Sequence, residues 1–312
     1  MKDSEVKALL VTGVAGFIGS RVAQRLVGEG RLVVGVDDLT SGALGNVPDG
    51  VDFIEADLAH SSTPDRLPRN CEAILHLAGQ SSGEVSFDDP VEDLRKNVVS
   101  TLNMIRFGIQ NGVGRLLYAS SMAVYGPTPD VPITEEHDRM PISCYGVGKL
   151  AAENYLRVFQ DALPSAALRM FNVYGPGQDL RNLQQGMVSI YLAQALDTGR
   201  IEVRGSMDRF RDFVFIDDVV DVWCRALHSD RILGRAVNVA SGTRTTVREL
   251  LDEVIRLVPG TETVVADGTP GDQIGIYADV TRMQRDLGPF ELTPLEDGLG
   301  RFAKWATGGP LV

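Results

Sequence analysis

Cysteine is scarce. The three residues Cys71, Cys144 and Cys224 are odd in number and lack paired spacing, so neither a disulfide framework nor a Cys-based metal site is implied. They read as free thiols in a reducing compartment. Histidine is equally sparse, four in 312 residues, and no His, Cys, Asp or Glu cluster has ligand spacing, so no metal is expected. Basic residues are the minority: 30 Lys and Arg against 42 Asp and Glu leave a net charge of -12. Such a field repels nucleic acid and anionic membranes, and a small anion must be caught by local features instead. No apolar run approaches the ~20 residues of a membrane helix. Residues 1–7 are polar and run straight into strand-like sequence, which leads to the expectation of a soluble, cytoplasmic protein.

What is present is an ordinary globular composition, 44% apolar and 23% charged, with 33 glycines spread along the chain. Short apolar bursts at 8–12, 32–36, 51–54, 73–77, 116–119 and 166–171 are bounded by Gly, Pro, Asn or Asp and read as buried strands. Amphipathic stretches separate them. In 17–29, Phe17, Ile18, Val22, Leu26 and Val27 recur at helical spacing and Gly30 supplies a stop. This alternation predicts an α/β fold, a Rossmann-type doubly wound parallel sheet. After about residue 171 the alternation loosens, with helices expected at 187–198, 217–227, 247–257 and 295–307. The predicted division is a dinucleotide-binding domain over 1–171, with a return of the chain near 208–240, and a smaller C-terminal substrate lobe over 172–207 and 241–312.

The first strand runs into Gly13-Val14-Ala15-Gly16-Phe17-Ile18-Gly19, small residues opening a helix, which lets a pyrophosphate approach main-chain N–H groups at the positive helix end. Asp37 and Asp38 close the second strand, Asp37 lying 18 residues beyond Gly19. An acid at that place binds the adenine ribose hydroxyls and repels a 2′-phosphate, so the expected cofactor is NAD rather than NADP. Asp57 and Leu58 follow the third strand, and Leu77, Ala78 and Gly79 follow the fourth. These loops lie where the sheet edge can touch adenine or the second ribose. His76, at a buried strand end, reads as a satisfied core imidazole.

Tyr145 and Lys149 are four apart and share one helix face. An ammonium beside a phenol, aided by a bound, positively charged nicotinamide, favours the phenolate and lets Tyr145 exchange a proton with a sugar hydroxyl. Ala119, Ser120 and Ser121 end the fifth strand, 24 residues before Tyr145 in the case of Ser121, and a hydroxyl there points into a cofactor crevice.

The ordered motifs TGVAGFIG, the acidic pair after strand two, HLAG, NVVSTLN, SSMAVYG, YGVGK, LRMFNVYGPG and RDFVFIDDV resemble the extended short-chain dehydrogenase/reductase family, in particular its nucleotide-sugar epimerases and dehydratases. The resemblance spans residues 8 to about 305. It implies Tyr145 as acid/base, Lys149 as the neighbour that lowers its pKa and holds the nicotinamide ribose, and Ser121 as partner of the reacting hydroxyl. It also implies Ser41, Gly42 and Asn97 at the cofactor, and Asn172, Met187, Val188, Arg211 and Asp272 at a UDP-sugar. Family members often pair through two helices, here 91–109 and 145–160, so a homodimer is expected by analogy. One departure stands out: where the family commonly has R-P-G-D, this chain has Thr269-Pro270-Gly271-Asp272. A hydroxyl cannot replace a bidentate guanidinium, so the diphosphate grip is weaker or shared with Arg209 or Arg282.

Dehydratases and decarboxylases of this kind carry carboxyls just after the strand-five serine. Met122 and Ala123 stand there instead, and neither can move a proton. What remains is reversible oxidation at a carbinol, and the resemblance then implies C4 epimerisation of a UDP-sugar. A UDP-glucuronate 4-epimerase, another nucleotide-sugar oxidoreductase and a non-catalytic nucleotide-binding protein stay as alternatives. Glu84 would favour a neutral sugar and Arg181 a carboxylated one.

Overall fold

The structure, a computed structural model, describes residues 7–183, 186–266 and 274–308. A seven-stranded parallel sheet, in the order β3-β2-β1-β4-β5-β6-β11, is built from β1 (Ala8–Thr12), β2 (Val33–Asp37), β3 (Val51–Glu55), β4 (Cys71–His76), β5 (Arg115–Ser121), β6 (Ser165–Met170) and β11 (Ala236–Val239). The Rossmann-type fold expected from the alternation is what forms. Strands β1, β2 and β4 are almost wholly buried, as continuous apolar runs in a sheet covered on both faces should be. β3 differs: none of its five residues is fully buried, because it is the sheet's edge and Asp52 and Glu55 face solvent.

Strand order reverses where the chain leaves β3 and returns beside β1 as β4, with Thr12 in register with His76. Ligands of open α/β sheets bind outside the carboxyl ends at such a switch point. Around it stand α1 (Phe17–Gly28), α2 (Pro90–Leu94), a wide π-helical turn at Arg95–Val99, α3 (Ser100–Gln110) and α4 (Cys144–Val158). α4 starts where the Ser143 side chain accepts the Gly146 N–H and ends two residues before the expected 160.

The chain divides into two compact units. The first comprises residues up to Val124, Ser143–Arg169 and Val220–Val237; the second comprises Tyr125–Ile142, Met170–Val219 and Asn238 onward. The stretch 125–142 thus groups with the second unit. That unit holds β7 (Asn172–Tyr174) parallel to β10 (Phe213–Phe215), β9 (Phe210–Arg211) antiparallel to β12 (Thr245–Thr246), and β8 (Arg200–Arg204) parallel to β13 (Glu262–Ala266). It also holds α5 (Met187–Thr198) and, after α6 (Ile216–Ala226), α7 (Val247–Leu257), the latter begun by a capping box between Thr246 and Glu249. No helix among the described residues is long and apolar enough to cross a membrane.

Candidate active site

The glycine loop is built for close approach. Gly13 has φ 71°, and a Cβ there would lie 2.7 Å from the Ala78 nitrogen in the loop after β4. A Cβ on Gly19 would run into the Gly13 carbonyl, so α1 can pack against its own entry loop only with glycine at that position. α1 begins at Gly16 with no side-chain cap and no acidic residue in its first turn, leaving its terminal N–H groups and positive end for an anion. Phe17 and Ile18 form the partly accessible first turn.

Asp37 is buried at the end of β2. Its Oδ2 accepts the Ala15 N–H at 3.0 Å and its Oδ1 the Leu39 N–H at 2.9 Å, which fixes the carboxylate between the glycine loop and the loop after β2. Burial pushes its pKa up, against the pull of those amides. Asp38 is partly exposed and bonded to Lys96, which also meets Asp57 at 3.0 Å. Ser41 is exposed, and a Cβ on Gly42 would lie 2.8 Å from Ala15. The Leu58 side chain packs into the hydrophobic core, and its carbonyl accepts the Asn103 amide. Leu77, Ala78 and Gly79 are partly accessible beside the loop, and Ala119 is buried within β5. The uncapped helix end, the glycines and the fixed acid together fit NAD.

At the other side of the switch point, the Ser121 hydroxyl, which accepts the Ala123 N–H at 3.2 Å, stands close enough to the Tyr145 hydroxyl to pull its pKa down. Buried Lys149 places its Nζ 5.6 Å from the Tyr145 ring centroid and 5.0 Å from that of Tyr118. Asn97 is buried with its Nδ2 donating to Asp93 at 3.1 Å, while its Oδ1 has no partner. A Cβ on Gly79 would lie 2.5 Å from that oxygen and 3.2 Å from Lys149 Nζ, so only glycine leaves room for both groups beside the loop after β4. Sequence reasoning missed Asp93, whose burial raises its pKa and whose charge acts on Lys149; an acid in the first turn of a helix carries no such signal.

The expected lowering of the phenol by Lys149 and a bound nicotinamide is opposed by the chain's own surroundings: desolvation pushes Tyr145 up to about 12, with Ser121 pulling down and Asp93 adding to the rise. Tyr145 is only partly buried as a residue, so the direction follows from the surroundings of its hydroxyl. Burial brings Lys149 itself down to about 8, Asp93 opposing. The chain's own residues therefore keep the phenol protonated.

His76 is the core imidazole anticipated. Thr12 Oγ donates to its Nδ1 at 2.8 Å, and its Nε2 donates at 3.1 Å to Thr101 Oγ, whose proton goes to the Asn97 carbonyl at 2.7 Å. The Ala78 N–H donates to Thr12 Oγ at 3.1 Å, so the chain of bonds joins the loop after β4 to Asn97. This order admits only the neutral Nε2–H tautomer, and burial holds the pKa down to about 3.

Within the second unit, the Asn172 side chain donates to the Asp212 carbonyl at 2.9 Å, Met187 and Val188 open α5, and Arg211 is held partly buried beside Tyr191 and Arg209. Burial, then Arg209, lowers Arg211 to about 10. Arg209 donates to the Ser206 and Arg204 carbonyls, whereas Arg282 is paired with Glu135 and Glu136. Asp272 and Thr269 lie outside the described residues. Arg181 is 91% exposed and paired with Asp179, and Glu84 is exposed. No group of three or more metal-ligating side chains exists among the described residues.

Residues 9–240 match the sequence model of the NAD dependent epimerase/dehydratase family. The chain is 39% identical over 251 residues to a UDP-glucose 4-epimerase of Mycolicibacterium smegmatis, covering 77% of this chain and 79% of that protein. It is 28% identical to UDP-glucuronic acid decarboxylase 1 of Xenopus tropicalis, over 96% of this chain and 72% of that one. Among solved structures it is similar to a UDP-glucose 4-epimerase with UDP-glucose from Thermotoga maritima, with a TM-score of 0.91 at 31% identity, covering 96% and 99% of the two chains.

Proposed function

Because the chain belongs to the NAD-dependent epimerase/dehydratase family and NAD is its coenzyme, we propose that it inverts C4 of a UDP-sugar, with UDP-glucose and UDP-galactose as the first pair. The observation that carries this reading is Tyr145 with the Ser121 hydroxyl on one side and buried Lys149 5.6 Å from its ring on the other, Ser121 being followed in the chain by Met122 and Ala123. A decarboxylase or dehydratase needs further proton-moving groups, and these two side chains offer none. The epimerase relatives support the same choice.

Bound NAD supplies the acceptor and later donor of a hydride. Tyr145 takes the proton of the sugar 4-hydroxyl and returns it, and Ser121 orients that hydroxyl. Lys149 holds the coenzyme's nicotinamide ribose and contributes positive charge beside the phenol. In the second unit, Asn172, Arg211, Met187, Val188 and Asp272 hold the nucleotide and its diphosphate, while the 4-keto sugar turns to offer its other face. Arg209 shares the diphosphate charge that Thr269 cannot meet.

A neutral hexose is favoured over a uronic acid because Arg181, the candidate carboxylate receptor, is exposed and already paired. A purely nucleotide-binding role would have no use for a phenol and hydroxyl aligned beside a buried amine. The test is incubation with UDP-, dTDP- and GDP-sugars, with inversion at C4 read by proton NMR. Conversion of UDP-glucose to UDP-galactose without net NADH release is expected; stoichiometric NADH or a released keto sugar would replace epimerase with oxidoreductase.

The working form is a homodimer through 91–109, which the structure divides into α2, the π-helical turn and α3, and through α4. Their exposed side chains include Val91, Leu94, Val147, Tyr155 and Val158. Val147, Tyr155 and Val158 share one helical face, and α2 and α4 pack beside each other.

A further inference from the structure

Lys96 occupies the π-helical turn Arg95–Val99 and reaches two loops at once. Its Nζ lies 2.5 Å from Asp38 Oδ2 in the loop after β2 and 3.0 Å from Asp57 Oδ2 in the loop after β3, with Glu92 at 3.7 Å. Each of the two aspartates divides its oxygens in the same way. Asp38 Oδ1 accepts the Thr40 N–H at 3.0 Å and Asp57 Oδ1 the Ala59 N–H at 2.8 Å, so one oxygen shapes its own loop and the other meets the ammonium. The next residue, Asn97, faces Asp93 and Gly79 instead. The extra residue in a π-turn changes the direction of successive side chains, and such turns recur at functional sites.

We propose that Lys96 is a positioning residue for the adenosine half of the dinucleotide, its ammonium clasping the loops after β2 and β3 at the separation that half requires. This rests on the family's NAD dependence. Asp37, Asp38 and Asp57 place three carboxylates at the carboxyl ends of β2 and β3, where an anionic dinucleotide presents its adenine ribose. With Lys96 in place, two of the three are bridged. Without it, Asp57 keeps only the longer contact of its Oδ2 with Arg95 at 3.6 Å while Asp38 loses its ammonium, so the two carboxylates repel each other and spread the loops. The loop after β2 is tied to the glycine loop by Ala43 N–H and Asn46 Nδ2 donating to the Ala15 carbonyl, and Ala15 N–H donates to Asp37, so spreading displaces the ribose acid as well. The Lys96 side chain is only 18% exposed, which limits screening of its bonds by salt.

The full chain is titrated with NAD, with ADP-ribose, which keeps the adenosine half, and with nicotinamide mononucleotide, which lacks it. Lys96→Met should weaken NAD and ADP-ribose together by about tenfold, the order expected for lost charge-assisted bonds, and leave nicotinamide mononucleotide unchanged. Lys96→Arg, which keeps the cation, should restore most of the affinity. Unchanged ADP-ribose binding in Lys96→Met overturns the proposal, as does an equal loss for all three ligands accompanied by a lower unfolding temperature. Should Lys96→Met not fold, Lys96→Gln and Asp57→Asn carry the same comparison. A wild-type chain that binds neither NAD nor ADP-ribose overturns the coenzyme assignment itself, a result distinct from a wild type that binds both and a variant that binds them equally well.

Discussion

Tyr145 shows how far a residue's chemistry depends on what surrounds it. A phenol pushed up to about 12 is a poor base at neutral pH. Lys149, pulled down to about 8, is still largely cationic at neutral pH, so proton transfer there draws on its charge together with any that a bound coenzyme adds. The absorbance difference between wild type and Tyr145→Phe should therefore show a phenol that ionises well above pH 10 without coenzyme and at lower pH with NAD added; the same midpoint in both would remove the coenzyme from the argument. Tyr145→Phe should lose on the order of a hundredfold or more in turnover, the range for a general acid/base, while NAD still binds. His76 gives a stability prediction with a definite sign. Its folded pKa of about 3 lies below the unfolded 6.5, so the unfolded chain binds the extra proton between those values and stability falls as pH drops from about 6.5 toward 3. At pH 5 the cost is roughly 2 kcal/mol. Between pH 7 and pH 5, urea unfolding of His76→Gln should lose less stability than wild type by about that amount, and parallel losses would show that His76 is not the group. The candidate residues with local signatures, the glycines, Asp37 and the Tyr145–Lys149 spacing, could be singled out from sequence, and the structure brings Tyr145 and Lys149 together on α4. Asp93 and Lys96 could not be singled out, because their partners are set by tertiary approach rather than by spacing.

At the scale of elements, β5, α4 and β6 are joined by a buried ion pair. Arg169 on β6 donates to both oxygens of Glu153 on α4, at 2.9 and 2.7 Å, and Ser120 on β5 donates to Oε1 of the same carboxylate at 2.5 Å. Ser120 is the neighbour of Ser121, and Glu153 lies one turn beyond Lys149, so this pair fixes the strand end and helix that bring Ser121 to Tyr145. Glu153→Gln should cost about 3–5 kcal/mol, because it leaves a buried guanidinium uncompensated. Glu153→Leu combined with Arg169→Met should recover most of that loss. Denaturant unfolding of the single and double variants decides: a double variant as unstable as the single one would show that the charges themselves, not their imbalance, hold the elements. Periodicity placed the central strands and α5 and α7 because burial imposes it there. It misjudged β3, an edge strand with no fully buried residue, and it could not reveal the π-turn, which an apolar repeat does not encode. The buried strand expected at 166–171 gave no partner for Arg169; the acid that pairs with it, Glu153, lies 16 positions away on α4.

For the molecule as a whole, a net charge of -12 discourages non-specific association, so any stable pairing must come from a local apolar face. Val91 and Val158 are 70% and 65% exposed, and the side chains of α2 and α4 that flank them are largely apolar. Two copies meeting through these helices would remove that surface from water and restrain the ends of α2 and α4, the elements that carry Asp93, Tyr145 and Lys149. A charge placed in such a contact must be desolvated without a partner, which a dimer cannot tolerate, whereas on a free surface it costs almost nothing. Val158→Glu should therefore convert a dimer to monomer in sedimentation at micromolar concentration while leaving the unfolding midpoint of the monomer fold nearly unchanged. Val265→Glu, an equally exposed valine on β13 in the second unit, should leave the mass as it is. If wild type and Val158→Glu both sediment as monomers, the apolar face of α2 and α4 has another use and the paired form is wrong.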